Sequence, residues 1–489
     1  MSKNKKASIK RNYFLSLFIN ILSLIIPLIT TPYISRTLGA NGIGIYSYCL
    51  SIETYFVILG TLGIPTYAKR EIAINRNNSQ KLNKIYSELI TLQIIMLSIS
   101  IILYSVITLL VLPKHHLMFL MCGIGIIAAI FDVSWLFQGI EDFATIVKRG
   151  IIFKLICLIL IFLLVRDESS LYIYAFSLMI TNLVCNIWLF SSAKKVIKYK
   201  RPDLGQVFRH FKPALYLLLP SMITAIYAVI DKTMLGAITE NMSEVGYYEQ
   251  SQKIVTVSLA VITSLGAVLM PRLALLNSEK NLVLFKKYLD KGISALSLLS
   301  IPIATGCAIV SNNLVPWFYG EGFEKIIYLL KIFSPMYIFM GISDLIGTQL
   351  LLATKKEKSL LRINLATTVL NLTLNALLIP KLQSYGAAIA TLISEFIKCI
   401  SFVIVSRKYI SIRNAIKDQS KYLAISLIMG ALLLYLRITI VKEPTIINTA
   451  IMVIVGATVY MAILLITKDK WAKQLIDSIH EIMERKKWQ

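Results

Sequence analysis

The sequence predicts an all-α polytopic membrane protein of about fourteen transmembrane helices. Three observations carry this: an apolar composition, a regular succession of apolar stretches of spanning length, and a lopsided distribution of positive charge. Of the 489 residues, 56% are hydrophobic and 16% are charged, with a mean hydropathy of +0.71. Soluble domains average roughly 25% charged residues. A helix crossing the hydrocarbon core of a bilayer needs about 20 apolar residues. The sequence offers such stretches near 12–34, 42–64, 86–112, 117–138, 149–165, 170–192 and 213–235. Seven more follow near 246–271, 289–311, 326–352, 360–379, 386–405, 421–440 and 446–467.

The formal net charge of +25 is distributed by side of the membrane. With the N-terminus inside, inner loops, both chain ends and the span ends that adjoin them hold 39 of the 51 Lys and Arg. The outer loops with their adjoining span ends hold seven, and the remaining five, Lys154, Lys232, Lys253, Lys331 and Lys398, fall inside spans. Such a split is the positive-inside signature, and it places both ends in the cytoplasm. The charge therefore reads as topology and contact with anionic membrane lipids, and nucleic acid is not expected as a partner. The first stretch follows a basic head of Lys3, Lys5, Lys6, Lys10 and Arg11. It is longer than the ~7–15-residue core of a signal peptide, so it is expected to remain as the first span.

Other chemistry finds little support. The six cysteines all fall in apolar segments and form no C-x-x-C pair, which is the pattern of soft packing residues. The four histidines lie in expected loops or the tail, against a histidine-based active site. There is no phosphate-cradling G-x-x-x-x-G-K and no D-x-D, against an ATP motor or a metal-dependent sugar transferase. No catalytic residue, metal or cofactor is expected, and no enzymatic activity.

The longest outer loops, 236–245 and 312–324, are too short for a catalytic domain, and the basic inner loops 193–212 and 272–291 are too short to fold alone. The tail from Lys468 to Gln489 sets Trp471, Leu475, Ile476, Ile479, Ile482 and Met483 on one helical face. It is expected to lie on the inner membrane surface. A weak repeat links the halves. Leu38-Gly39-Ala40 before Gly44-Ile45-Tyr46 matches Leu235-Gly236-Ala237 before Gly246-Tyr247-Tyr248. Leu62-Gly63 with Pro65 matches Leu265-Gly266 with Pro271, and Gln138 with Arg149 matches Gln349 with Arg362. An even six spans per unit starts both units on the same side, giving two six-helix lobes in a parallel pseudo-two-fold repeat. The expected domains are 1–211 for the first lobe, 212–406 for the second, and 407–489 for two extra helices and the tail.

The residues also resemble a known family in discontinuous pieces over nearly the whole chain. The pieces are Thr31-Pro32-Tyr33-Ile34-Ser35-Arg36-Thr37-Leu38-Gly39 with Gly42-Ile43-Gly44-Ile45-Tyr46, and Gly63-Ile64-Pro65-Thr66-Tyr67 with Arg70-Glu71-Ile72. Ser134-Trp135-Leu136-Phe137-Gln138-Gly139-Ile140-Glu141-Asp142-Phe143 and Asp231-Lys232-Thr233-Met234-Leu235-Gly236 follow. The last are Glu244-Val245-Gly246-Tyr247-Tyr248 and Gly386-Ala387-Ala388-Ile389-Ala390-Thr391. In order and at this spacing, they resemble the oligosaccharide-lipid flippases of the polysaccharide transport family, relatives of the multidrug extruders and the lipid II flippase. The resemblance implies a bacterial plasma-membrane transporter that moves a sugar repeat unit on undecaprenyl pyrophosphate from inner to outer leaflet. It implies polysaccharide polymerase and glycosyltransferases as partners. A multidrug extruder of the same superfamily and a membrane polymerase or ligase are the alternative readings. Glu53 departs from the pattern that the resemblance carries.

Charges inside spans are the candidate site residues, because each costs about 2.5–3.5 kcal/mol near the bilayer centre. A pyrophosphate cargo calls for cations facing water, and Lys253, Lys398, Lys232 and Arg36 are placed for it, in that order. Asp231, Lys232, Glu249 and Lys253 gather toward the outer ends of the seventh and eighth spans. They form either a static salt-bridge network or an outer gate. Glu53 and Glu395 are the carboxylates nearest the midplane, suited to carrying a driving proton or sodium ion, although Lys398 could neutralise Glu395 locally. Asp344 carries the same two readings. Asp132 is either a gating residue or the partner of Lys154 or Arg149, and Lys154 can snorkel to the inner boundary.

Overall fold

A backbone in hydrocarbon has no water to bond, so a spanning segment must satisfy its own N–H and C=O groups. The computed structural model describes the backbone of residues 3–112 and 114–470, and every regular element among them is helical. Close contacts divide the chain into two compact units, Met1–Gly246 and Tyr247–Gln489.

The first unit holds α1 (Lys3–Thr61), α2 (Ile64–Asn75), α3 (Ser79–Leu110), α4 (His116–Ile130) and α5 (Ser134–Gly139). It continues with α6 (Phe143–Leu164), α7 (Leu171–Ala193), α8 (Leu204–Phe208) and α9 (Phe211–Thr239), and α10 (Met242–Ser278) leads out of it. Although α1 runs for 59 residues, Gly39 interrupts it at φ 64° and ψ 176°. Only glycine adopts that backbone cheaply, so the first two expected spans are two limbs meeting at a glycine. Helices α3, α4, α6 and α9 pack against α1. A second layer of apolar packing gathers Ile64, Tyr67 and Ile72 of α2 with Trp135, Leu136 and Phe137 of α5.

The second unit holds the rest of α10, α11 (Leu282–Tyr319), α12 (Lys325–Phe333) and α13 (Met336–Ser343). A π-helical stretch, Asp344–Leu350, runs into α14 (Leu351–Ala353). Then come α15 (Glu357–Leu382), α16 (Ser384–Ser406), α17 (Ile412–Thr439) and α18 (Ile446–Ile466). The last two, the expected extra spans, pack on α11 through Leu298, Ile301, Tyr422, Met429, Leu433 and Tyr460. Polar ties fix their ends: Trp317 Nε1 donates to Thr449 Oγ1 at 2.7 Å, and Tyr460 OH donates to the Leu298 carbonyl at 3.0 Å.

Among the described residues, eleven helices are long and apolar enough to cross a membrane, or twelve with the bent α10 taken as one span. The difference from fourteen has two causes. One of the eleven, Ile25–Asn75, runs from within the first limb of α1 through its second limb and α2. The fifth expected span, α6, carries Lys148, Arg149 and Lys154 near its inner end, which dilute its apolar run. All fourteen expected spans fall on helices. Large apolar side chains remain exposed along them, such as Ile102, Leu103 and Leu109 on α3 and Leu427, Ile428 and Tyr435 on α17. A face of that size is stable against lipid tails and not against water. The expected tail face from Trp471 onward lies outside the described residues.

Candidate functional site

Glu53 sits on the second limb of α1 and is 6% exposed. Its carboxylate occupies the space beside Gly125 of α4: a Cβ there would lie 2.2 Å from Glu53 Oε1. No Lys or Arg among the described residues comes within ion-pair distance of it. On the other face of the same limb, Ser51 and Tyr55 are one turn apart and share a partner on α9. Thr233 Oγ1 lies 2.8 Å from Ser51 Oγ and 2.9 Å from the Tyr55 hydroxyl. This polar seam places Asp231, 3% exposed, and the half-buried Lys232 within the protein. Arg36, on the limb before Gly39, is exposed.

Asp132 does not make the cation partnership that was one of its two readings. Its Oδ1 accepts the Ser134 N–H at 2.9 Å, in the turn where the fourth span breaks. Arg149 donates instead to Asn186 Oδ1 at 3.0 Å, and Lys154 donates to Ser23 Oγ. The break is held by a residue the sequence reading passed over. Gln93 Nε2 on α3 lies within hydrogen-bond distance of the carbonyls of Ala129, Ile130 and Asp132, at 2.9, 3.2 and 3.0 Å. Its Oε1 accepts from Trp135 Nε1 at 3.0 Å.

In the second unit, Glu395 is fully buried in α16 and Lys398 Nζ pairs with its Oε1 one turn on. The local neutralisation open to this pair is therefore what the geometry contains. Asp344 opens the π-helical stretch, a distortion that recurs at functional positions. Gln349 Nε2 donates to its Oδ2 at 3.4 Å, and a Cβ on Gly266 of α10 would lie 2.8 Å from that oxygen. Both Glu53 and Asp344 thus rest against a glycine of a neighbouring helix. Glu249 and Lys253 are half-buried and one turn apart on α10, the acid first.

A buried cluster escaped the sequence reading altogether. Glu88 on α3 is fully buried, and its Oε2 takes Arg209 Nη2 at 2.6 Å and His210 Nε2 at 2.8 Å. The other ring nitrogen of His210 lies 2.9 Å from the Tyr67 hydroxyl, so one imidazole ties α2 to α3 at the start of α9. His210 lies in the turn before α9, as expected, but nothing local marks its distant partner. A carboxylate ten residues into an apolar helix was the available signal.

Chemically, the two units offer buried carboxylates able to take up a proton or small cation, and lysines able to meet an anion. Among the described residues no group of His, Cys, Asp and Glu is arranged to hold a metal ion.

The chain is similar to a protein of Escherichia coli (strain K12) named for O-antigen transport. The two are 25% identical over 397 residues, covering 80% of this chain and 94% of that one. A Haloferax volcanii protein, named for a flippase role in low-salt glycan biosynthesis, is 24% identical over 305 residues, 62% of this chain and 64% of that one. The fold is similar to a solved structure of the lipid II flippase MurJ in an inward closed conformation. The TM-score is 0.76 at 19% identity, over 95% of this chain and all of that one. The profile of one family, described as polysaccharide biosynthesis protein, matches residues 9–276, more than half of the chain, and the chain belongs to that family.

Proposed function

We propose that this membrane protein is a flippase for lipid-linked sugar precursors, moving an undecaprenyl-pyrophosphate-linked repeat unit from inner to outer leaflet. The observation that carries the reading is similarity along 94% of a relative named for O-antigen transport, on a chain of the polysaccharide biosynthesis family. Movement is by alternating access between two six-helix lobes, 1–211 and 212–406, in the bacterial plasma membrane with both ends cytoplasmic. The product feeds a capsule, exopolysaccharide or wall polymer through a polymerase, after glycosyltransferases have built the unit. Lys253, Lys398, Lys232 and Arg36 meet the pyrophosphate. Asp231 and Glu249 gate its exit, Glu53, Glu395 and Asp344 are the candidates for ion coupling, and Asp132 is a further candidate for gating.

The test is restoration of export. In cells lacking their own repeat-unit flippase, lipid-linked units accumulate in the inner leaflet, and expression of this chain should clear them. Continued accumulation at normal protein level sinks the reading. Resistance to cationic drugs in the same cells would point instead to a multidrug extruder, whose cavity favours carboxylates and aromatics.

A further inference from the structure

In the second unit, the ends of α11, α17 and α18 surround a cavity of about 860 Å³. Seven lysines and three aspartates face it. Lys286, Lys287 and Lys291 come from the first turns of α11, and Lys417 and Lys421 from α17. Lys468 and Lys470 arrive from the chain just past α18. Three separate segments therefore converge on one concavity, more than a general excess of inner-face lysine requires.

The aspartates are already engaged. Asp418 Oδ2 accepts from Ser294, and Asp290 Oδ1 accepts the Ser411 N–H at 3.1 Å. Asp469 Oδ2 takes Lys421 Nζ at 2.6 Å. The backbone is bent to make this last pair. Lys468 lies at φ 50° while the Asp469 N–H returns to the Leu464 carbonyl at 2.9 Å, a helix-ending turn usually built on glycine. Among the described residues, no carboxylate lies within ion-pair distance of Lys286, Lys287, Lys417, Lys468 or Lys470. All five are exposed. The cavity is thus a built cationic bowl whose own acids are spoken for.

One apolar side chain, Val283, lines the cavity at 80% exposure, and two exposed ones adjoin its lining residues in the chain: Leu282, half exposed, and Ile466, 79% exposed at the end of α18. A free phosphate has no use for such neighbours, whereas a lipid presents phosphate and hydrocarbon together. The expected topology sets these helix ends at the inner surface, where acidic lipids attract lysine.

We propose that this cavity binds the phosphate-bearing headgroup of an anionic lipid in the inner leaflet, clamping α17 and α18 onto α11. The site does not depend on which cargo the protein moves, and it is tested by binding alone. Lipids retained by the purified full-length chain are counted by native mass spectrometry, in detergent supplied with phosphatidylglycerol or phosphatidylcholine. Phosphatidylglycerol should be retained in preference, less so as salt rises. Lys286→Gln, Lys417→Gln and Lys470→Gln together should lower that preference roughly a hundredfold, the effect of one surface lysine taken three times. Lys194→Gln, Lys195→Gln and Lys198→Gln, exposed lysines after α7, should leave it unchanged. Thermal melting of both triple variants without lipid should match the parent, separating binding from folding. Equal losses in the two triple variants, no preference in the parent chain, or displacement of the lipid by inorganic pyrophosphate would each overturn the proposal.

Discussion

Gly44 and Gly246 clear a path for one another's helices. A Cβ on Gly44 would lie 1.6 Å from the Met242 carbonyl oxygen, and a Cβ on Gly246 would lie 2.0 Å from that of Ala40. Each carbonyl belongs to the residue four before the opposite glycine, so the contact is reciprocal. Small residues permit such backbone approach in membranes. Gly44→Ala or Gly246→Ala must push α1 and the start of α10 apart, at a cost of about 1–3 kcal/mol. Gly306→Ala is the control, since nothing lies within 4 Å of its added methyl. Melting in detergent should fall for the first two and hold for the third.

Gln93 offers a second test of packing. Its amide meets three carbonyls where the fourth span breaks, and it receives the Trp135 indole. Gln93→Leu leaves those groups buried without it, costing about 1–3 kcal/mol. Protease sensitivity between α4 and α5 should rise with the loss of melting temperature. An unchanged melt would mean that the break is held elsewhere.

The glycine pair shows what could be read in the sequence and what could not. Gly44 and Gly246 were matched as repeat positions from short motifs, but a repeat gives no hint that the matched positions touch. Spans were legible because hydrocarbon imposes one apolar length on every crossing. The α1 kink was legible as two spans with Gly39 between them. The site was less legible, because a side chain's partner on another helix leaves no local trace. Glu395 with Lys398 was visible at i, i+3, whereas Glu88 with His210, 122 residues apart, was not. A cation partner was one of two readings open to Asp132, because charge was counted and helix breaks were not.

At the membrane surface, Lys114 pairs with Glu240, and that hydrogen bond and charge hold the Glu240 carboxyl below its ordinary 4.5. A depressed carboxylate value means the contact contributes above the ordinary value and is lost as pH falls through the folded one. Both partners are exposed, so the effect is small and screened by salt. Cross-linking between Lys114 and Glu240 by a carbodiimide should be efficient at neutral pH. Lys114→Gln should abolish it without altering the melt.

Lys253 is the sharpest test of cargo contact. It lies on α10 one turn after Glu249, about 10 Å in from the expected outer end at 1.5 Å per residue. Lys253→Ala should block export and accumulate lipid-linked units at near-normal protein level, and Lys253→Arg should retain much of the activity. If Lys253 serves only to balance Glu249, the double change Glu249→Gln with Lys253→Gln should restore export. Full rescue by that double variant would leave Lys253 a scaffold residue.

Glu53 and Glu395 should part company when each is made glutamine. Glu395 holds Lys398 inside α16, so Glu395→Gln takes a carboxylate from a half-buried ammonium and should cost about 1.5–3 kcal/mol. Adding Lys398→Gln removes the stranded charge and should recover most of that loss, as replacing both partners of a buried pair often does. Glu53 carries no such partner: its carboxylate lies against Gly125, with no cation among the described residues at ion-pair distance. Glu53→Gln keeps the shape and removes a buried ionisable group, so the melt should hold or rise. If Glu53 takes up the driving ion, the same variant should lose its dependence on the proton or sodium gradient in reconstituted vesicles. A stable Glu53→Gln protein that still follows the gradient would assign Glu53 to packing alone. Gradient dependence lost only in Glu395→Gln, and regained in the double variant, would move the coupling role to α16.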